Sequence, residues 1–381
     1  MWKIPLSDLT FGPEEQEAAR QVIASGWLTM GERTAEFERR LGEALGTPRV
    51  LALTNCTAAL HLAYVALGIG PGDEVICPSL TFVATANAAL LTGATVVLAD
   101  VLGEHDLSLD PADVARKVTP RTRAIAVVHY AGYPCDMDAI RAIAEPRGVA
   151  IIEDAAHGPL ATWRGQALGT IGDAGCLSFF SNKNLATGEG GAIIARDDAL
   201  LARMKLLRSH GMTTLTLDRH KGHAFTYDVV EAGMNYRIDE IRSALGIVQL
   251  GRLPAGNARR RVLTARYHER LAGVPGVAIP YRGFYDRVVG DSAHHLLPVL
   301  LPEGASREAV MTALKARGIQ TSIHYIPIHR FSHHGASDRV RADALARTDA
   351  LAPRVLTLPL HPRLDDAQVD AVVDALRDAL A

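Results

Sequence analysis

Short apolar runs alternate with amphipathic segments through most of the chain before residue 250. This rhythm of strand and helix predicts a largely parallel sheet with helices on both faces. The apolar runs are short and bounded by turn residues, as expected for strands that are buried on both sides. Strands are predicted at residues 50–53, 74–77, 95–99, 124–129, 149–152, 175–180 and 192–195, and helices at residues 14–25, 33–45, 58–67, 82–91, 136–144 and 199–207.

The alternation weakens towards the C-terminus, which predicts a second, smaller unit of α+β type. A helix with an apolar stripe is expected near residues 241–250, and a basic helix at 257–271 is expected to bridge the two units. We therefore predict a large domain at residues 1–252 and a small domain at residues 253–381. The remaining predictions are a long polar loop at 212–230, a strand at 294–301 and helices at 307–317 and 366–380.

Two predicted strands within residues 151–191 end in polar residues. One runs into Asp154 and the other into the turn that contains Lys183. The carboxyl ends of parallel strands form the ligand-binding edge of an open α/β sheet, so Asp154, His157 and Lys183 are expected to converge there. Asp154 and Lys183 could form a buried salt bridge. They could also bind pyridoxal phosphate (PLP), which needs a lysine for an imine and an acid to keep its ring nitrogen protonated.

The balance of lysine and arginine favours the PLP interpretation. Of the 40 cationic residues, 34 are arginine and six are lysine. The guanidinium group stays protonated at neutral pH and cannot form an imine, whereas a lysine can be made to lose its proton. Lys183 is therefore the predicted attachment point.

Bulk properties exclude several other classes of protein. The formal net charge of −2 gives no basic footprint for nucleic acid or an anionic membrane. The sequence shows neither the apolar core of a signal peptide nor a run long enough to span a bilayer. Four scattered cysteines are typical of reduced thiols. We expect a cytoplasmic enzyme.

The sequence Thr54-Asn55-Cys56-Thr57 stands at the start of a predicted helix. Such residues favour a helix cap, and the N–H groups of a helix start also bind anions. Taken alone, a simple cap and an anion site are equally good interpretations. Beside Asp154 and Lys183, a site for the cofactor phosphate is preferred.

Two further patterns could indicate other kinds of site, a dinucleotide site and a metal site. The glycine-rich segment 188–191 opens a strand instead of following one, which argues against a dinucleotide enzyme. The group His324, His329, His333 and His334 matches no standard zinc spacing and contains no cysteine or acid, so no metal site is predicted. The arginine run at 259–261 is predicted to be a solvated helix face.

Four segments together resemble the DegT/DnrJ/EryC1/StrS aminotransferases: TNCTAAL at 54–60, EDAAH at 153–157, SFFSNKN at 178–184 and GMNYR at 233–237. The similarity extends from residues 26–31 to residues 358–360. This family consists mainly of PLP-dependent sugar aminotransferases. The resemblance implies the α/β fold-type I architecture, in which a mostly parallel seven-stranded sheet flanked by helices is joined to a smaller C-terminal α+β domain. It also implies a homodimer with shared active sites.

The resemblance further implies a role for each matching residue. Lys183 would hold PLP and move a proton, and Asp154 would pair with the ring nitrogen. Phe82 would stack on the ring, and His157 would lie against it or near its phenolic oxygen, where many relatives have glutamine. The other implied contacts are Thr57, the Ala58 amide and Ser178 to the phosphate, Asn235 to the phosphate of the partner subunit, and His324 and Tyr325 to the substrate.

The predicted reaction moves an amino group from an amino acid, with L-glutamate preferred, to a nucleotide-linked keto-sugar. Arg208, Arg237 and the 259–261 run are candidates for contacting the diphosphate. A keto-cyclitol acceptor is the main alternative. A PLP-dependent sugar dehydratase and a non-catalytic regulator are also considered, but dehydratase relatives have histidine in place of Lys183, and a regulator has no use for the complete cofactor set.

Overall fold

An eight-stranded sheet runs through the centre of the protein in the computed structural model, which describes residues 2–214, 226–287 and 289–381. Its strands are β1 (Val50–Leu53), β2 (Glu74–Pro78), β3 (Thr95–Ala99), β6 (Thr122–Val128), β7 (Ala150–Asp154), β10 (Ala174–Ser178), β11 (Gly191–Ala195) and β14 (Val340–Arg341). The order across the sheet is β1-β11-β10-β7-β6-β2-β3-β14. Only β11 runs antiparallel to its neighbours.

The remaining strands form small sheets or hairpins at the periphery. They are β4 (Val101–Gly103), β5 (Asp106–Leu109), β8 (Thr162–Trp163), β9 (Gln166–Ala167), β12 (Gly290–Asp291), β13 (Leu297–Leu300) and β15 (Val355–Leu358). The pair β13–β15 is antiparallel and packs with the C-terminal helices.

Helices cover both faces of the central sheet, as the strand–helix rhythm predicted. In chain order they are α1 (Pro13–Ser25), α2 (Glu32–Leu45), α3 (Cys56–Ala66), α4 (Ala84–Leu91), α5 (Pro111–Lys117), α6 (Met137–Ala144), α7 (Asp198–Leu207), α8 (Glu240–Leu271), α9 (Phe284–Arg287), α10 (Arg307–Ala316), α11 (Ser332–Gly335), α12 (Ala346–Leu351) and α13 (Asp366–Leu380). Two buried apolar clusters lie on the two faces of the sheet, and a third lies among residues of the C-terminal part. None of the helices in the described ranges is long and apolar enough to cross a membrane.

Helix α8 differs from the sequence prediction. The predicted break before residue 257 is wrong, because a single helix of 32 residues continues through Pro254. Buried residues on both sides of the proline, such as Leu253 and Leu263, anchor the helix along its length. This packing outweighs the helix-breaking preference of proline. The proposed domain boundary at 253 falls inside α8 and stays a prediction.

Three other sequence predictions can be compared with the structure. The arginine run at 259–261 is not wholly solvated: Arg260 is only 4% exposed and donates a hydrogen bond to the Leu360 carbonyl at 2.7 Å. Of the predicted loop at 212–230, residues 215–225 lie outside the described residues. The eighth strand, β14, comes from the C-terminal part of the chain and adds to the seven that were expected.

Candidate active site

A cavity of about 730 Å³ opens at the carboxyl ends of β7 and β10, where α3 begins. Nine of the ten residues predicted for the site line it: Thr57, Ala58, Phe82, Asp154, His157, Ser178, Lys183, His324 and Tyr325. Asn235, which was expected to act on the partner subunit, lies outside this lining. The convergence expected for parallel strand ends is therefore confirmed for Asp154, His157 and Lys183.

Asp154 is the last residue of β7 and is only 6% exposed. One carboxylate oxygen accepts a hydrogen bond from the Thr85 hydroxyl at 2.7 Å, and the other accepts one from the Ala156 N–H at 3.2 Å. Burial raises the pKa of Asp154, although the two hydrogen bonds and the nearby Lys183 oppose this shift. The carboxylate makes no salt bridge with any described residue, so a cationic ligand would stabilise it.

Lys183 follows β10 in a turn that is closed by a hydrogen bond from its own N–H to the Phe180 carbonyl at 2.8 Å. Burial lowers the pKa of its amine from 10.5 to about 8, while the negative charge of Asp154 opposes this effect. A substantial fraction of the amine is consequently neutral near physiological pH. A neutral amine is the form that can attack a carbonyl carbon.

The start of α3 forms another wall of the cavity. Asn55 caps the helix, and its side-chain oxygen accepts a hydrogen bond from the Ala58 N–H at 2.8 Å. The Ala58 amide, expected to face a phosphate, thus also donates to Asn55, and Thr57, Ala58 and Ser178 all line the cavity. A Cβ on Gly191 would lie 2.5 Å from the Asn55 carbonyl carbon, so only glycine lets β11 approach this helix start.

Aromatic side chains form the outer wall. Phe82 is 55% exposed, and its ring centroid lies 5.8 Å from that of Tyr325. The Tyr325 hydroxyl lies 2.9 Å from His157 Nε2. An exposed aromatic ring beside a buried carboxylate offers a surface on which a flat ligand can stack.

Sequence reasoning missed several residues that shape the cavity. Thr85 holds the carboxylate of Asp154, yet nothing in the sequence distinguishes it from other residues of α4. Tyr236 and His61 both line the cavity and lie 2.9 Å apart, from the Tyr236 hydroxyl to His61 Nδ1. Asn55 was not missed, since the segment 54–57 was predicted to cap a helix, and asparagine before a helix is a strong capping signal. Asn182 also lines the cavity, and its buried side-chain oxygen has no hydrogen-bond partner in the described part of the chain.

The arginines suggested for a diphosphate do not line the cavity. Arg208 is 2% exposed and donates hydrogen bonds to Glu38 at 2.6 Å and to the Ala52 carbonyl at 2.9 Å. Its role is structural, so its assignment to a substrate phosphate is wrong. Among the described residues, Lys183 is the only lysine or arginine in the lining, and neither Arg237 nor the 259–261 run belongs to it.

Two other histidines of the C-terminal group, His329 and His334, form hydrogen bonds outside the cavity. His329 bridges Ser79 and Asp349, with distances of 2.7 Å from Nδ1 to the hydroxyl and 2.9 Å from Nε2 to the carboxylate. His334 Nε2 lies 2.7 Å from the Asn87 side-chain oxygen. These two side chains fasten the C-terminal part of the chain to β2 and α4, outside the cavity.

The donor set fits pyridoxal phosphate. A lysine with a lowered pKa matches the aldehyde, and a buried carboxylate without a salt bridge matches the ring nitrogen. The hydroxyls of Thr57, at the start of α3, and of Ser178, at the end of β10, match the phosphate. With the mostly parallel sheet and the site at its strand ends, these features define a PLP-dependent enzyme of fold-type I.

The chain belongs to the DegT/DnrJ/EryC1/StrS aminotransferase family, whose model matches residues 10–377. It is 38% identical over 380 residues to the spore coat polysaccharide biosynthesis protein SpsC of Bacillus subtilis, covering 98% of this chain and 96% of that protein. The protein is therefore a PLP-dependent aminotransferase, and its relatives are sugar aminotransferases.

Solved structures show the same similarity. The aminotransferase TlmJ from Streptoalloteichus hindustanus is 35% identical with a TM-score of 0.90, covering 99% of this chain and 98% of that one. The sugar aminotransferase CalS13 from Micromonospora echinospora is 33% identical with a TM-score of 0.89, covering 98% of this chain and 99% of that one.

Proposed function

We propose that this sugar aminotransferase moves an amino group from L-glutamate to a keto-sugar carried on a nucleoside diphosphate. The proposal depends mainly on one observation: Lys183 and Asp154 line the same cavity, beside the start of α3. The sugar acceptor draws support from the sugar aminotransferase CalS13 and from SpsC, whose name refers to polysaccharide biosynthesis, and the nucleotide linkage is part of the proposal.

Each predicted residue has a proposed role. Bound PLP would act as the electron sink for the charge left on the substrate carbon. Lys183 would hold the cofactor covalently and would then carry the proton to and from that carbon. Asp154 would keep the ring nitrogen protonated, since a buried carboxylate favours a cation beside it. The remaining proposed contacts are Phe82 and His157 to the ring, Thr57, Ala58 and Ser178 to the phosphate, and His324 and Tyr325 to the substrate.

A homodimer is part of the proposal. The diphosphate and the glutamate carboxylates need positive charges, and Lys183 is the one lysine or arginine that lines the cavity among the described residues. A second subunit at the cavity mouth would supply further contacts, including Asn235 of the partner subunit to the cofactor phosphate. A cytoplasmic location is also proposed, supported by four buried cysteines without disulfides.

The amino-sugar specificity is tested by running the reaction in reverse. Enzyme loaded with PLP is mixed separately with UDP-, dTDP- and GDP-amino sugars and with scyllo-inosamine, and the absorbance band of the lysine-bound cofactor is followed. We expect at least one nucleotide amino sugar to discharge the band, and L-glutamate to do so as well. Reaction with scyllo-inosamine alone would instead identify a keto-cyclitol as the acceptor.

A matched pair of lysine variants tests whether the absorbance band and the amino transfer both depend on Lys183. Lys183→Ala removes the attachment point, whereas Lys205→Ala changes an exposed lysine of α7. Only the second variant should show the band and respond to the panel. A wild-type protein that binds no PLP would contradict the proposed function as a whole.

A further inference from the structure

The hydrogen bond between His157 and Tyr325 has a direction that the structure determines. The backbone N–H of Ala131 donates to His157 Nδ1 at 3.3 Å. A ring nitrogen that accepts a hydrogen bond carries no proton, so the proton of the neutral imidazole resides on Nε2. His157 Nε2–H therefore donates to the Tyr325 hydroxyl oxygen, 2.9 Å away.

The opposite direction is chemically unfavourable. If Tyr325 donated to Nε2, both ring nitrogens would be acceptors and the ring would have to be an anion. If Nδ1 carried the proton, two N–H groups would point at each other across 3.3 Å. Since the tyrosine oxygen accepts from His157, the hydroxyl proton of Tyr325 remains available to another acceptor.

We propose that Tyr325, oriented by His157, donates a hydrogen bond to an oxygen atom of the molecule bound beside Lys183. This inference rests on the proposed function, which places cofactor and substrate in that cavity. Two oxygens have the required chemistry: the phenolic oxygen of the cofactor ring and the carbonyl oxygen of the compound that receives the amino group. His157 is then a positioning residue as well as a neighbour of the ring.

One tight turn holds both partners of this hydrogen bond. Residues Tyr130–Gly132 form a 3-10 turn in which Ala131 has a left-handed φ of 58°. Ala131 supplies the N–H that fixes His157, and the Tyr130 hydroxyl donates to the His324 carbonyl, the peptide group just before Tyr325. A Cβ on Gly132 would lie 2.8 Å from the His157 carbonyl oxygen, so this close packing requires glycine.

The protonation states agree with this direction. Burial, with the charges of Lys183 and His324, lowers the pKa of His157 well below its usual value, so the imidazole stays neutral. Burial also raises the pKa of Tyr325 well above its usual value, so its hydroxyl keeps its proton. The donor is consequently present throughout the neutral pH range.

Tyr325→Phe tests the proposal with two measurements. The first is a spectroscopic pH titration of the lysine-bound cofactor. If the acceptor is the phenolic oxygen, loss of the donor should raise the titration midpoint by about one unit, because a hydrogen bond to an anion favours its unprotonated form. The second is a single-turnover reaction in which enzyme loaded with pyridoxamine phosphate is mixed with 2-oxoglutarate. In this direction 2-oxoglutarate is the keto compound that receives the amino group. If the acceptor is the substrate carbonyl, this reaction should slow about tenfold while the titration stays unchanged.

Variants of His157 show whether it acts through Tyr325. His157→Gln keeps a donor and an acceptor and should resemble wild type more closely than His157→Leu, which keeps neither. In the double variant with Tyr325→Phe, His157→Leu should add little to the effect on the measurement that Tyr325→Phe changes. Fully additive effects would overturn the positioning role.

Tyr325→Phe that matches wild type in both measurements would overturn the proposal. That result is distinct from failure of the proposed function, in which wild-type enzyme itself would show no cofactor band.

Discussion

At the residue scale, Lys183 owes its reactivity to its surroundings. Burial lowers the pKa of its amine to about 8, so the fraction of neutral amine rises as the pH rises through that value. We expect the rate of PLP uptake by the cofactor-free enzyme to rise with pH and to level off above about pH 8. Stopped-flow absorbance measures the rate, and borohydride reduction followed by peptide mapping should locate the label on Lys183. A label on another lysine would contradict the assignment.

Asp154 is expected to control turnover more than cofactor retention. Asp154→Asn keeps the side-chain shape and the Thr85 contact but removes the charge that is proposed to hold the ring nitrogen protonated. We expect this variant to bind PLP while its turnover falls about a hundredfold or more. Steady-state kinetics with cofactor absorbance measured on the same sample tests this expectation. Thr85→Val is a companion variant that removes one hydrogen bond and should have a smaller effect. Near-normal turnover in Asp154→Asn would count against its role.

Some residues of the candidate site could be identified from the sequence, and others could not. Lys183 and Asp154 could be identified because Asp154 ends a buried strand, Lys183 lies in the turn after another, and their chemistry is distinctive. Thr85 could not, because its contact with Asp154 depends on how α4 packs against β7. Arg208 was misassigned because charge alone does not reveal a buried ion pair, here with Glu38.

At the element scale, helix α8 shows how packing can reverse an intrinsic preference. Alanine is favoured over glycine in a helix interior by about 1 kcal/mol. At Gly246, however, an added Cβ would lie 2.6 Å from the ring of Phe37, which is fully buried and packs edge-on against Phe179. Overpacking of this kind costs about 1–3 kcal/mol. We therefore expect Gly246→Ala to lower the urea midpoint of unfolding.

Gly251 of the same helix provides the control. An added Cβ there meets nothing within 4 Å, so Gly251→Ala should raise the midpoint through helix preference alone. If both variants were equally stabilised, the close contact with Phe37 would not limit the packing of α8.

The same helix explains one error of the sequence prediction. An apolar stripe near 241–250 and a basic segment at 257–271 predicted two helices, where one helix runs unbroken through Pro254. The apolar contacts that carry the helix across the proline involve residues distant in sequence, which a local pattern does not reveal. By contrast, α13 was predicted at 366–380 as observed, and its start is marked by a local signal, the capping box that Asp365 and Gln368 form.

At the scale of the whole molecule, the proposed dimer can be tested by complementation. Lys183→Ala inactivates the cavity of its own subunit, and Asn235→Ala is proposed to inactivate the cavity of the neighbouring subunit. Mixed dimers would contain one cavity that keeps both residues, so mixing the variants should restore part of the activity. Each variant assayed alone provides the baseline. A fully active monomer would refute shared sites.

The architecture as a whole could be predicted from the sequence more readily than its edges. Continuous apolar runs such as 95–99 and 124–128 define strands of the sheet without tertiary information. The two-residue strand β14 has no such signal, because Val340 and Arg341 become a strand only by pairing with β3.

That short strand has a consequence for the behaviour of the protein in concentrated solution. Val340 and Arg341 pair with Val96 and Val97, and Arg341 is tied to Glu74 at 2.7 Å. An unpaired strand edge can recruit a strand of another molecule, so β14 shields an aggregation-prone surface. We expect the Val340→Gly/Arg341→Gly variant to form aggregates faster at 37 °C, as measured by light scattering, while Asp338→Gly, an exposed neighbour outside the pairing, should remain dispersed. Equal scattering from the two variants would assign the protection to other parts of the sheet. If the two variants differ as expected, two residues outside the cavity lining determine how long the enzyme stays in solution.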